Sequence, residues 1–459
     1  MALASSSLDR PQYPPLSHAC LAVVLFACAL LLAFVDKQVM ALLVEPLKNS
    51  LLISDTQIGL LQGLAFSLFS AVAGLPLGRL VDQVNRIRLL IACILIWSLM
   101  TMLCSVAGGF VQLFALRVGV GIGEACIYPL LYSIIADLFP RRTRATAMVL
   151  FYLVCTVGTN LALAVAGSVI GMLAKAGSHS LLGNTPYWRA TYLVLGAPGP
   201  LLALLIALLV REPTRKETGR TPGGADIRAV IGHVWRHRVA FLALIAGWAS
   251  VVAAANAIIA WYPSVMVRHF GLTAPQAGIR YGVFVAAAAV IAVPISAFIE
   301  RHVHPEKLPK VLLFGLLSSL VAVFTFPWAS SANMGLSLIV IQYIGYMWIV
   351  GLTPVLLQDI SPNEFRGQIF AIAALCSTIL QGLTPVAVGF LSDRVLTGEH
   401  ALAVSIMLTI APLLGIIVCF YLPLQTAFAR ARAEMSAYNT DAAETALAPL
   451  SPNGAKVLS

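Results

Sequence analysis

The chain has 459 residues, of which 59% are hydrophobic and only 10% are charged, and an excess of Lys and Arg gives a formal net charge of +10. In soluble domains about a quarter of all residues are charged. This composition therefore excludes a soluble enzyme or binding module and indicates a polytopic membrane protein.

Apolar runs of about 20 residues or more, each long enough to cross a hydrocarbon core about 30 Å thick, occur at about twelve places. They cover approximately residues 17–45, 56–81, 88–107, 110–137, 144–174, 189–210, 239–268, 275–300, 309–328, 334–360, 365–392 and 401–424. We expect the first run to be retained rather than removed as a signal peptide, because the polar residues before it hold a single Arg and no small-residue cleavage site follows. The sequence predicts an all-α integral membrane protein with twelve transmembrane helices.

The basic residues are distributed unevenly between alternate loops. If the N-terminus is cytoplasmic, 21 of the 29 Lys and Arg residues fall in cytoplasmic segments and six on the opposite side. The positive-inside rule then predicts that both termini are cytoplasmic. The basic surplus thus reflects membrane topology, and we expect no nucleic-acid partner.

The eight Cys residues all fall in predicted helices without CxxC spacing, and the eight His residues lie in loops, tails or helix ends. Cysteines in this pattern are small hydrophobic packing groups. A Walker sequence of the Gly-x-x-x-x-Gly-Lys type is also missing from the chain. We therefore expect no metal, no cofactor, no enzymatic activity and no use of ATP.

The first run carries two charges within Phe34-Val-Asp-Lys-Gln-Val-Met40. Asp36 lies nine residues before Glu45 at the outer end, about 13 Å, and Arg117 lies seven residues into the fourth run, about 10 Å from the same side. At similar depth the two side chains can pair, either for function or as a plain structural ion pair. Lys37 points about 100° away from Asp36 and is expected to snorkel or to meet a polar lining.

The second run ends in Gly74-Leu-Pro-Leu-Gly-Arg-Leu-Val-Asp-Gln-Val-Asn-Arg-Ile-Arg88. Gly78 permits close helix approach, and Asp82, Arg86 and Arg88 lie at a short cytoplasmic turn. Charge pairs at a helix end can break and form as two bundles rock, so these residues are predicted to gate the cytoplasmic face. The alternative is that they only anchor the topology.

The fourth run, Leu116-Arg-Val-Gly-Val-Gly-Ile-Gly-Glu-Ala-Cys-Ile-Tyr-Pro129, contains Arg117 and Glu124. A charge at bilayer depth costs about 2.5 to 3.5 kcal/mol on insertion scales, so such residues are functional or tightly paired. The two residues are two turns apart and share one helix face. The alternating glycines between them let a neighbouring helix or a ligand approach the backbone.

The end of the second run resembles the loop 2–3 signature of the major facilitator superfamily, although Gln83 and Asn85 depart from its usual basic residue and Gly. Arg117 resembles the arginine of the superfamily's helix 4 signature. The resemblance implies twelve helices arranged as two pseudo-symmetric six-helix bundles.

A narrower resemblance, to the Spinster branch, rests on Asp36, on Ser54-Asp-Thr-Gln-Ile-Gly-Leu-Leu61, and on Arg117 followed by Gly-x-Gly-Glu124 and Pro129. Lys37 stands where many Spinster sequences have Arg. This resemblance implies export of lysophospholipids or sphingosine-1-phosphate, with proton coupling as in bacterial relatives. We expect a monomer in the bacterial inner membrane.

An internal repeat supports two related halves. Asp137-Leu-Phe-Pro-Arg-Arg-Thr-Arg144 and Asp359-Ile-Ser-Pro-Asn-Glu-Phe-Arg366 share the pattern Asp-x-x-Pro-x-x-x-Arg, 222 positions apart, and both fall at cytoplasmic helix junctions. Asp137 and Arg144 are predicted to join the cytoplasmic gate, or simply to cap their helices. The predicted organisation is a tail (1–16), a first bundle (17–210), a cytoplasmic linker (211–238), a second bundle (239–424) and a partly disordered cytoplasmic tail (425–459).

Within the linker, residues 227–234 predict a short amphipathic helix at the lipid surface. The second bundle is nearly free of buried ionisable groups and offers polar and aromatic side chains instead, among which Asn256 and Tyr343 are predicted substrate contacts. Arg117, Glu124 and Lys37 are the predicted substrate contacts in the first bundle.

The charges of the first bundle predict a mechanism. Asp36 and Glu124 are two acids against one base, Arg117; with Lys37 facing away, the group carries one negative charge too many for a dry cavity. We expect Asp36 to pair with Arg117 and Glu124, or the pair jointly, to exchange a proton.

Two transport functions remain open. A charged first bundle facing an aromatic and aliphatic second bundle suits an amphipathic lipid, whose phosphate could meet Arg117, and proton-coupled export of such a lipid is the leading interpretation. The alternative is transport of a small organic anion or drug-like molecule. A membrane enzyme or sensor would need a clustered nucleophile or metal ligands, which the sequence lacks.

Overall fold

The computed structural model describes residues 13–176, 186–215 and 227–447, with the side chains of Leu75, Asp82, Arg141 and residues 438–447 left out. Over these ranges the regular structure is helical throughout. The helices are α1 Leu16–Leu42, α2 Val44–Leu51, α3 Asp55–Gln62, α4 Leu64–Gln83, α5 Arg86–Cys104, α6 Phe110–Glu124, α7 Ile127–Leu138, α8 Arg141–Ala176, α9 Tyr187–Gly196, α10 Pro198–Leu209, α11 Ile227–Arg236, α12 Arg238–Arg268, α13 Ala274–His302, α14 Leu308–Thr325, α15 Ala332–Asp359, α16 Arg366–Arg394, α17 Ala401–Tyr421 and α18 Leu424–Leu447.

Twelve segments of the described chain are long and apolar enough to cross a membrane. Spans 1, 3 and 5 are α1, α5 and α8, and spans 7 to 12 are α12 to α17 in order. Spans 2, 4 and 6 are each made of two consecutive helices, α3–α4, α6–α7 and α9–α10. The predicted all-α fold with twelve transmembrane helices is confirmed.

The breaks in spans 2 and 4 lie beside residues that the sequence singled out. Gly63 separates α3 from α4. Span 4 breaks where α6 ends at Glu124 and α7 begins at Ile127. Discontinuous helices in transporters carry polar groups and irregular backbone at a protein-lined site, so the break brings Glu124 to a helix end inside the bundle.

The two halves of the chain meet mainly at one end of the molecule, which carries α2 and which we call the outer end. There α3 packs against α16 and α8 packs against α13. Glycines make these contacts close: a Cβ at Gly167 would lie 2.9 Å from the Pro275 carbonyl oxygen, and a Cβ at Gly282 would lie 2.6 Å from the Ala164 nitrogen. The outer end is therefore closed.

Toward the opposite end, which carries α11 and α18 and which we call the inner end, the halves are not in close contact at their glycines. A Cβ at Gly78 of α4, or at Gly367 of α16, would meet no atom within 4 Å. The close helix approach predicted for Gly78 is thus not present in this conformation, because no neighbouring helix packs against this position.

Two amphipathic helices lie at the inner end. The linker helix predicted near residues 227–234 is present as α11, whereas residues 216–226 lie outside the described part. In the tail predicted to be partly disordered, Leu424–Leu447 form α18, and residues 448–459 lie outside the described part. Leu424, Phe428 and Ala431 are fully buried at helical spacing, and this short apolar stripe packs against the second half strongly enough to order a segment of low mean hydropathy.

Candidate functional site

Asp36 of α1 and Arg117 of α6 lie together inside the first half, at 3% and 1% exposure. Arg117 Nη1 lies 3.7 Å from Asp36 Oδ2 and donates a hydrogen bond of 3.5 Å to the Asp36 carbonyl oxygen. Thr101 of α5 donates a 2.9 Å hydrogen bond to the same carboxylate oxygen. The ion pair between Asp36 and Arg117, predicted from their similar depth, is thus present in the structure. Thr101 is a further partner of Asp36 that the sequence analysis missed.

Phe66 of α4 lies between two cations. Its ring centroid is 4.9 Å from Lys37 Nζ and 5.8 Å from Arg117 Cζ. An aromatic face stabilises a nearby cation, and more strongly when both are removed from water; Phe66 itself is only 7% exposed. The role of this ring could not be read from the sequence, because an aromatic residue in an apolar run carries no separate signal.

Lys37 lies over the same aromatic ring as Arg117. Glu124 and Arg117 are the charged groups that act on its ammonium group. Of the two outcomes expected for Lys37, snorkelling or meeting a polar lining, the contact with Phe66 beside these charges corresponds to the second. We call Asp36, Glu124, Lys37 and Arg117, two acids and two bases, the central cluster.

One oxygen of each acid is buried without a partner. Among the residues that the structure describes, neither Asp36 Oδ1 nor Glu124 Oε1 has a hydrogen-bond donor. A buried carboxylate oxygen without a donor is costly while the group is charged, and protonation turns the carboxyl into a donor with less desolvation cost. These two carboxyl groups are therefore the candidates for proton exchange.

The alternating glycines of α6 bring three helices together around this cluster. A Cβ at Gly121 would lie 2.7 Å from the Phe66 carbonyl oxygen, and a Cβ at Gly123 would lie 2.9 Å from the backbone nitrogen of Trp97. Spans 2 and 3 can approach α6 this closely only because Gly121 and Gly123 have no side chain. The close helix approach predicted for these glycines is confirmed.

The first half also contains an apolar groove. It lies between α1 and α8, has a volume of about 320 Å³, and its lining includes Phe34, Leu31 and Val154. Phe34 contacts Tyr128 of α7, with ring centroids 6.3 Å apart. The same half thus holds the buried charges and an apolar groove, both of which involve α1.

Asn256 and Tyr343, the predicted substrate contacts of the second half, lie on α12 and α15. Asn256 Nδ2 donates a 2.9 Å hydrogen bond to the Gln381 carbonyl oxygen within that half. Tyr343 stacks near Tyr346, with centroids 5.4 Å apart, and its hydroxyl interacts with Asn160 of α8 across the two halves. Asn256 is thus held by its own bundle, whereas Tyr343 faces the first half.

The sequence analysis missed a charged network that joins the halves at the outer end. Arg268 at the end of α12 donates two 2.7 Å hydrogen bonds to the Asp55 carboxylate at the start of α3. Lys48 Nζ lies 2.5 Å from Asp55, and Arg268 Nε donates to Glu45 over 2.6 Å. Asp55 is only 3% exposed, so this is a desolvated, bidentate contact.

Asp393 at the end of α16 completes this network, which we call the outer gate. Its carboxylate accepts hydrogen bonds from the backbone nitrogens of Asp55 and Thr56, at 3.0 and 2.6 Å, and from the Thr56 hydroxyl at 2.7 Å. The first amides of a helix have no partner within the helix, so the second half caps α3 of the first. The charges at the ends of the seventh and eleventh runs were the available signal.

The predicted cytoplasmic gate is centred on Arg86, which is 2% exposed at the start of α5. Its Nη1 donates to Asp137 Oδ2 at 2.6 Å and to Ser133 Oγ at 2.9 Å. Its Nε donates to Glu212 over 2.7 Å, a partner that the sequence analysis missed. All these residues belong to the first half or to the segment after it, so in this conformation Arg86 joins spans 3 and 4 to the linker.

The remaining predicted gate residues are Gly78, described above, Asp82, Arg88 and Arg144. Arg88 is exposed, while Arg144 is half-buried at the start of α8. The side chain of Asp82 lies outside the described residues. In the repeated motif of the second half, Asp359 pairs with Arg432 of α18 at 3.5 Å, and Arg366 donates to the Gln358 carbonyl oxygen at 3.0 Å.

These features together define a class of protein. The chain has two six-span halves, broken helices, buried charges inside the first half and a network that joins the halves at the outer end. This is the architecture of a membrane transporter that exposes a central site to one side at a time.

Residues 25–385 match the model of the Major Facilitator Superfamily, and the chain belongs to this family. Its relatives identify the Spinster branch. Human spinster homolog 1 is 26% identical over 395 residues, which cover 79% of this chain and 71% of the relative. A protein of Mycolicibacterium smegmatis named MFS-type efflux pump is 27% identical over 402 residues, covering 85% and 89% of the two chains.

Solved structures agree with this assignment. A bacterial homologue of the human lysosomal transporter Spinster, in an inward-facing and unoccupied conformation, superposes with a TM-score of 0.79 at 26% identity and covers 91% of this chain and 99% of that one. A D-xylose–proton symporter, 17% identical with a TM-score of 0.65, shares the fold. The predicted recognition as a major facilitator transporter of the Spinster branch is confirmed.

Proposed function

We propose that this transporter moves an amphipathic lipid with a charged head group, such as a lysophospholipid or a sphingoid phosphate, in a proton-coupled cycle of alternating access. The observation that carries the proposal is the presence in one half of both the buried central cluster and an apolar groove between α1 and α8. The head group binds at Arg117 and Lys37, and the acyl chain lies along the groove past Phe34.

The unpartnered carboxylate oxygens of Asp36 and Glu124 support the proton coupling. With all four groups ionised the central cluster is formally neutral, so uptake of one proton leaves it with a net positive charge. A positive cluster in a low-dielectric site favours an anionic head group. Proton uptake and head-group binding therefore assist each other, with Glu124 as the proposed proton carrier.

The two gates support alternating access. The outer gate holds the halves together in this structure, while the proposed cytoplasmic gate residues Arg86 and Asp137 bond within the first half. We propose that the cytoplasmic residues Gly78, Asp82, Arg86, Arg88, Asp137 and Arg144 rearrange to close the inner end when Asp55 and Arg268 separate.

The experiment is uptake of a labelled lysophospholipid into proteoliposomes, with a pH gradient imposed in each orientation. We expect gradient-driven movement for the wild type and for Arg430→Gln, a control at an exposed position outside both gates. Asp36→Asn should abolish transport, and Glu124→Gln should retain head-group binding but lose the response to the gradient. A Glu124→Gln variant that keeps the full gradient dependence would refute the assignment of the proton carrier.

A second candidate function is transport of a small organic anion or drug-like molecule. The observation in its favour is the name of the mycobacterial relative, an efflux pump. If the wild type moves no lipid under either gradient but moves an organic anion or a dye in the same vesicles, this second function replaces the first.

A further inference from the structure

The linker helix α11 has three distinct faces. At about 100° per residue, Val230, His233 and Val234 share one face. Val230 is fully buried, and His233 Nε2 lies 2.9 Å from the Ile360 carbonyl oxygen. This face therefore packs against the second half.

The adjoining face of α11 is apolar and uncovered. Ile227, Ile231 and Trp235 follow each other at four-residue spacing, and they are 52%, 54% and 67% exposed. An exposed stripe of large apolar side chains on a helix with a charged opposite face is typical of an interfacial helix that lies in the membrane plane.

Exposed apolar side chains also follow α11 at the start of span 7. Val239 and Leu242 of α12 are 40% and 48% exposed, and α12 is long and apolar enough to cross the membrane. Because α12 begins at Arg238, two residues after α11 ends at Arg236, α11 is held next to the end of a membrane span.

Cationic side chains border the stripe on its other side. Arg228, Arg236 and Arg238 are exposed, and the Arg238 guanidinium carbon lies 5.8 Å from the Trp235 ring centroid. Arg and Trp side by side at the end of a span are suited to the head-group layer, and clustered basic residues beside an amphipathic helix attract anionic lipid.

We propose that α11 is a membrane-surface anchor that binds the anionic head groups of the cytoplasmic leaflet. Ile227, Ile231 and Trp235 insert at the edge of the acyl chains, while the arginines meet the lipid phosphates. Since α11 is packed on the second half through His233, this anchor holds that half against the leaflet while the first half moves. The site is separate from the proposed substrate path.

The test is hydrogen exchange, read by mass spectrometry, on the full chain in nanodiscs of phosphatidylglycerol, in nanodiscs of phosphatidylcholine, and in detergent. The amides of residues 227–236 should exchange roughly fivefold more slowly in phosphatidylglycerol than in the other two, because seating on the bilayer opposes local opening. Equal exchange in all three would overturn the proposal.

Two matched variants separate a membrane face from a solvated one. Ile231→Glu places a carboxylate in the apolar stripe, and Ala229→Glu places the same group on the opposite exposed face of α11. The first should lose the slow exchange in phosphatidylglycerol, and Ile231→Gln should lose it in part without adding a charge; the second should keep it. If the two Glu variants showed the same exchange rates, lipid would not be the partner of this face. The same conclusion would follow if the slow exchange depended on the number of protein molecules in each disc.

Discussion

Arg117 is the side chain on which the central cluster depends most. It is 1% exposed, it contacts both the carboxylate and the backbone of Asp36, and it faces the Phe66 ring. A planar guanidinium can serve several partners at once, whereas an ammonium is a single point charge. The identity of the cation therefore matters as much as its charge.

Arg117→Lys should reduce lipid transport by roughly tenfold or more, the effect of losing about 1.4 kcal/mol or more of interaction. The physical reason is that a lysine at this position can meet the Asp36 carboxylate or the Phe66 face but not both. Initial uptake rates in proteoliposomes measure the effect. Arg430→Lys makes the same chemical change at an exposed position outside both gates and should be neutral; equal rates for the two variants would contradict the role of Arg117.

Phe66 should stabilise the protein through the two cations it faces. Phe66→Leu keeps an apolar side chain but removes the ring, so it should lower the thermal midpoint by the loss of about 1 to 2 kcal/mol of cation–π interaction. The matched control is Phe69→Leu on the same helix, whose ring contacts Phe114 edge-on. Fluorescence-detected thermal unfolding in detergent compares them, and an equal shift would contradict the proposed contact.

At the scale of the element, glycine decides how closely the helices of the two halves meet. Added Cβ atoms at Gly59, Gly63 and Gly389 would overlap the carbonyl oxygens of Pro385, Gly382 and Asp55 respectively. Each of these contacts joins α3, or the break that follows it, to α16. The outer end is thus closed by backbone contact as well as by charge.

Gly389→Ala should hold the outer end open. The added methyl group meets the backbone of Asp55, which cannot rotate away as a side chain could, so the closed conformation should be strained and transport slowed by about tenfold or more. Gly367→Ala lies on the same helix with open space around it and matches the change in helix propensity. Transport assays and spin-label distances across the outer end measure the effect; a fully active Gly389→Ala would refute it.

At the scale of the whole molecule, the outer gate sets the balance between conformations. Asp55 receives Arg268 and Lys48, and Asp393 caps the helix that Asp55 begins. Removing one partner of a buried ion pair costs about 3 to 5 kcal/mol, which is most of the about 5.5 kcal/mol needed to reverse a population of 1:99. The gate therefore weights the equilibrium between the two conformations strongly.

Asp55→Asn should shift the resting population toward the outward-open conformation, because the bidentate contact with Arg268 is lost. Distances between spin labels on the outer ends of α3 and α16 should lengthen, measured in a background without the eight native cysteines. Glu434→Gln is the control, since it removes an exposed arginine contact, with Arg236, that belongs to neither gate. If the two variants give the same distance distribution, the outer gate does not set the conformation.

Some of this architecture is local and could be predicted from the sequence. A chain segment in hydrocarbon must satisfy its own backbone hydrogen bonds, so the length of an apolar run predicts a spanning helix directly. The depth of Asp36 and Arg117 followed from helical rise, and their pairing was correctly anticipated. The glycines of α6 likewise predicted close packing without knowledge of the partner helix.

Other features depend on which segments meet in three dimensions. The helical angle between Asp36 and Lys37 could not decide whether Lys37 belongs with the acids. In the structure its ammonium group lies 4.9 Å from the Phe66 ring centroid, and counting it with Asp36, Glu124 and Arg117 changes the formal charge of the central cluster from −1 to zero. Gly78 was expected to contact a helix that, in this conformation, is elsewhere.

The sequence by itself determined the twelve spans, the repeat of two halves and the presence of buried charges, because burial in a bilayer imposes rules that each segment obeys alone. Only the tertiary structure decided the partners: Asp393 capping α3 from 337 or more residues away, Glu212 on Arg86, and α18 ordered against the second half. Such contacts are set by the relative positions of distant helices, and positions of that kind leave no periodic pattern in the chain.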